Sequence, residues 1–491
     1  MNVYKKRAIF TRRNESNVYR MFFWVLLILG GIWLIRGVWR GDVKPLFLPT
    51  ATPTRLAQSY TLEGDAKFIS GQLDDIVDED GKVISPGAIT AYREATRVEP
   101  TNAKIMADLA RIQVYSSALR VGDADIKKRL EEALESAKKA VELDPDSSYA
   151  HAVYAFALDW NANPNLVTDP DQLQALLGEA DLEATRALSL DNTNTLALAF
   201  YAEIQTDQQK WAEGQNAIEQ ALERDSSLMD VHRVHAYVLE TQADYTGAIE
   251  AYDRAIQIAP NISFLHLRAG ANYRTLAFKS PNEQVQEQLF EKSLEYFASA
   301  ARINEQLGIE DPQPYLSIAR TYSQMGQFFI AIRNVQKTIE FQPDKAEFYG
   351  ELGVLYHKNR NYETGILAFK CAIHGCNPDE SCDGRGGCGE ADVKAQVTGL
   401  PLSASTIYYY DIFASELAAL DTPKSPHCKE ALEVAQIIAD SDFDSDPNIA
   451  ADIVVVRNLC DPDFVDPNPP TPTPTPTLTP IPEDIEPTAT P

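Results

Sequence analysis

Six cysteines are the residues of this chain best suited to chemistry, and all of them lie in its last quarter. They are Cys371, Cys376, Cys382, Cys388, Cys428 and Cys460. Thiolates bind zinc, but four, five and five residues separate the first four cysteines, whereas zinc ribbons use paired C-x2-C spacing. Acidic residues of the same glycine-rich loop are calcium-ligand types without the order of an EF-hand, namely Asp379, Glu380, Asp383 and Glu390. We therefore expect no metal site.

An even set of cysteines is typical of disulfide bonds in proteins that fold outside the cytoplasm. Cys428 begins a predicted helix at 426–440, and Cys460 ends a predicted antiparallel helix at 446–460. Since these two helix ends should be adjacent, we predict a bond between Cys428 and Cys460. The other four cysteines allow three connectivities, which the sequence leaves open.

Signatures of catalysis are absent from the sequence. It contains no G-x-S-x-G, no H-E-x-x-H, no Walker loop and no dinucleotide-binding glycine motif after a strand. His232 and His235 lie three residues apart on one predicted helix, where buried, hydrogen-bonded histidines are the simpler interpretation. Asp74 and Asp75 are most simply interpreted as part of a solvent-exposed face, as expected in so acidic a protein. We therefore predict no enzymatic activity and no cofactor.

The charge balance restricts the classes of partner. The chain has 44 Lys and Arg against 71 Asp and Glu, which gives a formal net charge of -27 at pH 7. Nucleic-acid binding needs clustered cations, so we expect no nucleic-acid partner. A hydrophobic content of 44% is nevertheless sufficient for a large folded core.

Residues 21–35 form an unbroken apolar run, which reaches a bilayer-spanning length of about 20 residues at position 39 if Arg36 extends to the surface. The preceding charged residues are Lys5, Lys6, Arg7, Arg12, Arg13, Glu15 and Arg20. Because basic flanks stay in the cytoplasm, we expect a cytoplasmic segment 1–20 and a single lipid-spanning signal-anchor helix at 21–39 of the cell membrane. The rest of the chain would then be extracytoplasmic. A cleaved signal peptide is the alternative, but RGVWRGDV offers no small-x-small cleavage site.

Two segments have compositions that cannot form a core. Residues 40–56 are a short juxtamembrane linker that contains proline, and residues 461–491 are a Pro/Thr-rich tail. Such sequences favour extended polyproline II conformations. We expect a disordered tail, which is either a stiff spacer or an O-glycosylated stalk.

A repeated pattern of small and aromatic residues fills most of the remaining chain. Its clearest copy is Ala248, Tyr252, Ala255 and Pro260, which places two small residues and one aromatic on one helical face before a proline. The spacing recurs in eight units. Where no insertion intervenes, successive units lie 34 residues apart, as do Asn192, Ser226 and Pro260.

This pattern resembles the tetratricopeptide repeat family. The resemblance implies an all-α solenoid, a right-handed superhelix of antiparallel helix pairs in which small residues allow close packing. Eight units cover residues 57–377, a Cys/Gly-rich loop covers 378–402, and a degenerate unit with a capping helix covers 403–460. Units one, two, three and six carry extra residues between their helices, including 73–86, 161–175 and 277–291. These inserts would either lengthen helices or form an edge that contacts a partner.

The resemblance also implies that the first helix of each pair lines a concave groove for a protein partner. The corresponding residues here are Arg111, Phe156, Asp159, Trp160, Glu203, Arg233, Tyr237, Arg274, Arg320, His357 and Lys358. This line is cationic for so acidic a protein, and it would suit an extended acidic segment with apolar anchors. Solvated helix faces are the alternative interpretation. The Asn and Lys pattern by which some family members clamp a C-terminal carboxylate is missing.

We therefore expect a membrane-anchored, extracytoplasmic scaffold or adaptor for proteins of the cell envelope. A structural cell-surface protein with a glycosylated tail and no groove ligand is the alternative. Recognition of a ligand or glycan by the aromatic end near Trp160 is a third hypothesis. The sequence leaves the partner, the pathway and the oligomeric state open.

Overall fold

The computed structural model describes residues 17–40, 55–78, 80–389 and 392–465. The expected basic N-terminus up to residue 16, linker residues 41–54 and tail residues 466–491 lie outside the described residues. The chain divides into two units, Met1–Leu56 and Ala57–Pro491.

The described part of the first unit is a single helix, α1 (Val18–Arg40), of 23 residues. Its segment Val18–Gly37 has 20 residues and a mean hydropathy of 2.0. At 1.5 Å per residue this segment is about 30 Å long, close to the thickness of the hydrocarbon core of a bilayer. By length and composition, the helix can therefore cross a membrane.

The second unit begins with eight successive helix pairs, in which consecutive helices pack against one another. The pairs are α2 (Ala57–Ile69) with α3 (Ala88–Val98), α4 (Ala103–Ser117) with α5 (Asp123–Leu143), α6 (Ser148–Asn161) with α7 (Pro170–Leu190), α8 (Thr195–Asp207) with α9 (Trp211–Arg224), α10 (Met229–Thr241) with α11 (Tyr245–Ile258), α12 (Ser263–Lys279) with α13 (Glu283–Leu307), α14 (Gln313–Gln324) with α15 (Phe328–Phe341), and α16 (Ala346–Lys358) with α17 (Tyr362–Ile373). From α4 to α10, each first helix also packs against the first helix of the next pair.

A disulfide-bonded region follows the repeats. Its elements are α18 (Pro378–Gly384), α19 (Ile407–Ala419), α20 (Cys428–Ala439), a 3-10 helix (Asp442–Ser445) and α21 (Pro447–Cys460). Helices α19 and α20 pack as a further pair, and α21 contacts both. The disulfide bonds are Cys371–Cys376, Cys382–Cys388 and Cys428–Cys460. The third bond joins the start of α20 to the end of α21, which is the pairing expected from the predicted helix ends.

Small and aromatic residues of the repeated pattern pack between the helices. Ala248 and Ala255 of α11 are fully buried, and Tyr252 between them is 2% exposed. On α12, Gly270 lets the Phe297 ring approach so closely that a Cβ atom would lie 2.7 Å from its edge. Small residues therefore set the approach of the paired helices, and the aromatic ring fills the remaining space.

The extra residues of four pairs take two forms. In the first pair they form a short antiparallel hairpin of β1 (Ile76–Val77) and β2 (Val83–Ser85), so this insert does not lengthen a helix. In the second, third and sixth pairs the second helix is long, with 21 residues in α5, 21 in α7 and 25 in α13. Helices α9 and α11, which carry no insert, have 14 residues each. Helix lengthening therefore describes three of the four inserts.

Two ion pairs lie buried where α4, α8 and α10 meet. Arg233 donates to both carboxylate oxygens of Glu203, at 2.6 and 2.5 Å. Arg111 pairs with the fully buried Asp230, with 2.8 Å between Nε and Oδ1. Tyr115 links the two pairs, because its hydroxyl donates to Asp230 at 2.7 Å and accepts from Arg233 at 3.1 Å. Since two helix pairs separate α4 from the pair that contains α10, these contacts extend beyond neighbouring repeats.

The turn between paired helices places one residue in the left-handed backbone region. The φ angles are 62° at Gln209, 61° at Ala243, 72° at Gly326 and 60° at Arg360. Gln209 and Ala243 occupy equivalent positions of consecutive repeats, as do Gly326 and Arg360. A side chain at such a position costs roughly 1 kcal/mol, because Cβ approaches the carbonyl oxygen.

We predict that Ala243→Gly stabilises the protein by about 0.5 kcal/mol, because removal of the Cβ strain outweighs the added freedom of the unfolded chain. Gly326→Ala should destabilise it by about 1 kcal/mol through the backbone alone, since a Cβ there meets no atom within 4 Å. Urea-induced unfolding measures both changes. Unchanged stability of both variants would contradict the turn conformation.

We also predict that Arg233→Met lowers the free energy of unfolding by about 3–5 kcal/mol, because it leaves the Glu203 carboxylate buried without a partner. The double variant Arg233→Met/Glu203→Leu should regain most of that loss. The control is the exposed pair Arg93–Glu132, with side chains 50% and 32% exposed, where Arg93→Met should cost under about 1 kcal/mol. Guanidinium-induced unfolding that ranks Arg233→Met and Arg93→Met equally would disprove the buried pair.

Candidate functional site

The residues expected along one groove separate into two groups. Seven lie on the inner helices α4 to α10, namely Arg111, Phe156, Asp159, Trp160, Glu203, Arg233 and Tyr237. Four lie on α12 to α16, namely Arg274, Arg320, His357 and Lys358. In the first group, Phe156 is fully buried and Arg233 is 5% exposed. The first group therefore belongs largely to the interior, in contrast to the continuous open groove expected from the repeat positions.

Arg233 is enclosed by aromatic rings as well as paired with Glu203. Its guanidinium lies between 5.4 and 5.6 Å from the ring centroids of Tyr115, Phe156 and Trp160. Trp160 also donates its indole N–H to Glu203 at 3.2 Å. Cation–π contacts of this kind stabilise a desolvated arginine. Arg233 is therefore buried and neutralised by Glu203, which corrects the expected role of this residue in holding an acidic segment.

An open cleft lies beside the second group, between α12, α14, α16 and α19. Its volume is about 440 Å³. We call it the C-terminal cleft, and its charged and aromatic lining residues are Arg274, Phe278, Arg320, Lys358, Tyr408 and Tyr409. The three cations come from the first helices of three successive pairs, so the repeat itself places them on one wall.

Arg274 has no carboxylate within ion-pair distance among the described residues. Its Nη1 donates to the backbone carbonyl of Ser317 at 3.3 Å, and its guanidinium lies 5.4 Å from the Phe297 ring centroid. Burial and the neighbouring Arg320 both lower the pKa of Arg274. Arginine remains charged despite such a shift. Arg274 is thus a half-buried, uncompensated positive charge facing the cleft.

The two other cations of the cleft differ in whether a carboxylate neutralises them. Arg320 pairs with Glu351 at 2.5 Å, and its side chain is 51% exposed. Lys358 donates to the hydroxyl of Ser323 at 3.3 Å and forms no ion pair within the described part of the chain. The lining therefore carries three positive charges and the single carboxylate of Glu351. This local excess is opposite in sign to the net charge of the protein.

Aromatic side chains give the same cleft an apolar side. Phe278 is 52% exposed and Tyr408 is 51% exposed. Tyr409 lies against α16 at Gly350, where a Cβ atom would be 2.4 Å from the ring. Sequence reasoning missed Phe278, Tyr408 and Tyr409 because the first lies in an insert and the others lie in the degenerate repeat. The run of three tyrosines at 408–410 was a signal that α19 presents aromatic side chains.

His357 is occupied by a contact within the protein. Its Nδ1 lies 2.9 Å from Oε1 of Glu416, a residue that is 3% exposed. Burial raises the pKa of Glu416 to about 8 and lowers the pKa of His357. At neutral pH, a protonated Glu416 can therefore donate to a neutral His357. This expected groove residue stabilises the junction of α16 with α19 and does not line the cleft.

The histidines and paired acids noted in the sequence occupy structural positions. His232 is 4% exposed, with Nε2 2.8 Å from the carbonyl oxygen of Ser226, and burial lowers the pKa of both His232 and His235. Asp75 accepts a hydrogen bond from the backbone N–H of Gly87 at 2.7 Å, and Asp74 accepts one from Arg129 at 3.0 Å. Within the described ranges, no group of three or more His, Cys, Asp or Glu side chains is arranged to hold a metal ion.

Solved structures that are similar to this chain include two that are described as TPR proteins. Human IFIT1, solved as a dimer with PPP-AAAA, is 16% identical, with 83% of this chain and 91% of that chain covered and a TM-score of 0.48. A TPR protein of Thermus thermophilus is 16% identical, with 44% of this chain and 98% of that chain covered and a TM-score of 0.33. YrrB, a TPR protein with an unusual peptide-binding site, is 18% identical, with 43% of this chain and 94% of that chain covered and a TM-score of 0.29.

Comparison with protein families gives a more direct result. Two models of the tetratricopeptide repeat match this chain, one over residues 202–261 and the other over residues 125–147. The first match covers the last part of α8 and all of α9 to α11, and the second covers most of α5. The chain thus carries tetratricopeptide repeats, matched in its second, fourth and fifth helix pairs.

Proposed function

We propose that this chain is a membrane-anchored, extracytoplasmic scaffold that binds an acidic segment of a partner protein in the C-terminal cleft. The observation that carries the proposal is the uncompensated charge of Arg274 on the cleft wall. Tetratricopeptide repeats support a role in protein–protein interaction. The proposal includes no catalytic activity.

The electrostatics of the cleft favour a carboxylate ligand. Arg274 is half-buried beside a second guanidinium, so its charge is unfavourable until an anion approaches. A carboxylate can accept two parallel hydrogen bonds from one guanidinium, and such charge-assisted bonds are stronger than neutral ones. Arg320 and Lys358 extend the positive wall along the cleft. An extended acidic segment would therefore gain contacts along several repeats.

The apolar side of the cleft favours a protein ligand over a free anion. Phe278 and Tyr408 expose half of their surface next to the cations. Aromatic residues of this kind anchor apolar side chains in protein interfaces. We therefore infer a ligand segment that combines carboxylates with at least one apolar or aromatic side chain.

The membrane setting rests on α1 and on the residues before it. The Val18–Gly37 segment is long and apolar enough to cross a bilayer, and the charged residues that precede it are basic except for Glu15. Basic flanks favour the cytoplasmic side, which would place the repeats and the disulfide bonds outside. In this arrangement, the cleft would face envelope or secreted proteins.

Binding of a fluorescent peptide of glutamate and phenylalanine residues to the full chain in detergent tests the cleft. We expect Arg274→Met to weaken binding at least about tenfold, since a hydrogen-bonded ion pair contributes on the order of 1.5–3 kcal/mol. Binding should also weaken as salt rises, because exposed charges are screened. Fluorescence anisotropy measures both effects.

The matched control is Arg333→Met, which removes an exposed arginine on α15 away from the cleft lining. It should bind the peptide as the unsubstituted protein does. Arg233 is unsuitable for this design because its loss destabilises the interior. Equal affinity of Arg274→Met and Arg333→Met would reject the cleft and favour a structural surface protein. If Arg274→Met alone weakens binding, affinity capture from solubilised envelopes with the same two variants would identify the partner as a protein that is lost only with Arg274→Met.

A further inference from the structure

A second cavity lies beside the inner helices of the third to fifth pairs and shares no lining residue with the C-terminal cleft. Its volume is about 700 Å³, within the range of small-molecule sites. It lies among α6, α7, α8, α10 and the beginning of α12, and its apolar walls include Trp160, Leu173, Leu177 and Phe264. We call it the aromatic pocket. Its volume and apolar walls suit a compact organic molecule.

Most charges of the aromatic pocket cancel in pairs. Arg233 pairs with Glu203, and Arg268 pairs with Glu240. The lining also contains two acidic residues for which the described residues provide no ion-pair partner, Asp159 and Asp207. Once the ion pairs are subtracted, the pocket retains acidic groups and no free cation. Its uncompensated charge is therefore negative.

Asp159 is a buried acid with an unused hydrogen-bonding atom. The residue is 5% exposed, and its Oδ1 has no hydrogen-bond partner among the described residues. Asp207 accepts a hydrogen bond from the hydroxyl of Tyr237, and the carboxyl groups of Asp159 and Asp207 are within hydrogen-bonding reach of each other. A buried acceptor without a donor is costly, so this site favours a ligand that supplies N–H or O–H donors.

The protonation of the acid pair follows from its surroundings. Burial, then Asp207 and Glu203, raise the pKa of Asp159 well above its ordinary value. Burial also raises the pKa of Asp207 to about 6, although the Tyr237 hydroxyl opposes the shift. Two adjacent carboxyl groups titrate as a pair and retain a proton that isolated acids would lose. A bound cation would displace that proton.

We propose that the aromatic pocket binds a protonated organic amine, with its ammonium group between Asp159 and Asp207 and its apolar body against Trp160 and Phe264. An ammonium group supplies three N–H donors and a full positive charge, which match the unused acceptor and the uncompensated acids. Aromatic walls favour an organic cation. A metal ion is disfavoured because the described residues offer it no third acidic, histidine or cysteine ligand in an adjacent position.

Calorimetric titration of the full chain in detergent tests the proposal with two primary amines, phenethylamine and cadaverine. 2-Phenylethanol, which has the shape of phenethylamine without its charge, is the neutral comparison. We expect at least one amine to bind at least about tenfold more tightly than the alcohol, as a charged hydrogen-bonded contact requires. Failure of both amines to bind more tightly than the alcohol would overturn the proposal.

Three variants locate the binding. Asp159→Asn, which retains the shape of the side chain, should weaken amine binding at least about tenfold. Leu177→Trp should also abolish it, since the larger side chain fills part of the cavity. Glu223→Gln removes an exposed acid on α9 and should leave binding unchanged. Thermal unfolding of each variant establishes that it is folded, and equal amine affinity in all three would exclude this pocket.

Binding should also depend on pH. The titratable groups that line the pocket around the acid pair are Glu203, Arg233, Tyr237, Tyr252 and Arg268. As pH rises from 5 to 7.5, through the value of about 6 to which burial raises the pKa of Asp207, this carboxyl group loses its proton while the amines remain charged, so affinity should increase by about tenfold. Affinity that is constant or falls over this range would contradict the placement of the ammonium group.

Discussion

Burying a guanidinium and a carboxylate removes both from water, which costs several kcal/mol for each ion unless they meet in good geometry. The Arg233–Glu203 pair meets that condition with two short hydrogen bonds and three aromatic rings around the cation. Tyr115 then connects it to the Arg111–Asp230 pair. Since any one missing member leaves a buried charge, the inner surfaces of α4, α8 and α10 are held together as a unit.

This constraint distinguishes the two halves of the repeat region. In α4 to α10, the arginines of the inner helices have their own carboxylates, so the inner surface closes around polar pairs. In α12 to α16, equivalent helices carry Arg274 without an acid, and Arg320, which pairs with Glu351 but is itself 51% exposed. The same helical repeat therefore forms an inner surface of mutually paired charges in one half and an accessible cationic cleft with an unpaired arginine in the other. The choice between them depends on a few charged residues.

The sequence predicted the elements whose signals are local. Alanine and aromatic spacing before a proline identified the helix pairs, because each signal lies within one helix and its end. The Asp80–Gly81 turn between Ile76–Val77 and Val83–Ser85 is a hairpin signal that helical reasoning on the insert overlooked. Helix ends likewise located the Cys428–Cys460 bond. Local patterns thus accounted for most of the fold.

The sequence could not predict which groove residues are accessible. Arg111 and Asp230 are 119 residues apart in the sequence, and the repeated pattern does not indicate that these two side chains meet. Position within a repeat identified Arg233 and Arg274 as inward-facing, but only the tertiary contacts show that the first is neutralised and the second is not. The C-terminal cleft is completed by α19, whose degenerate sequence gave no position for Tyr408 and Tyr409.

A double-mutant cycle between Arg111 and Asp230 tests most directly whether the inner helices meet. Unfolding of Arg111→Met, Asp230→Asn and the double variant gives the coupling energy between two residues that three repeat intervals separate. A repeat that contacts only its neighbours would give a value near zero, which would contradict the closed interior. The contact described here predicts a coupling of at least about 1.5 kcal/mol.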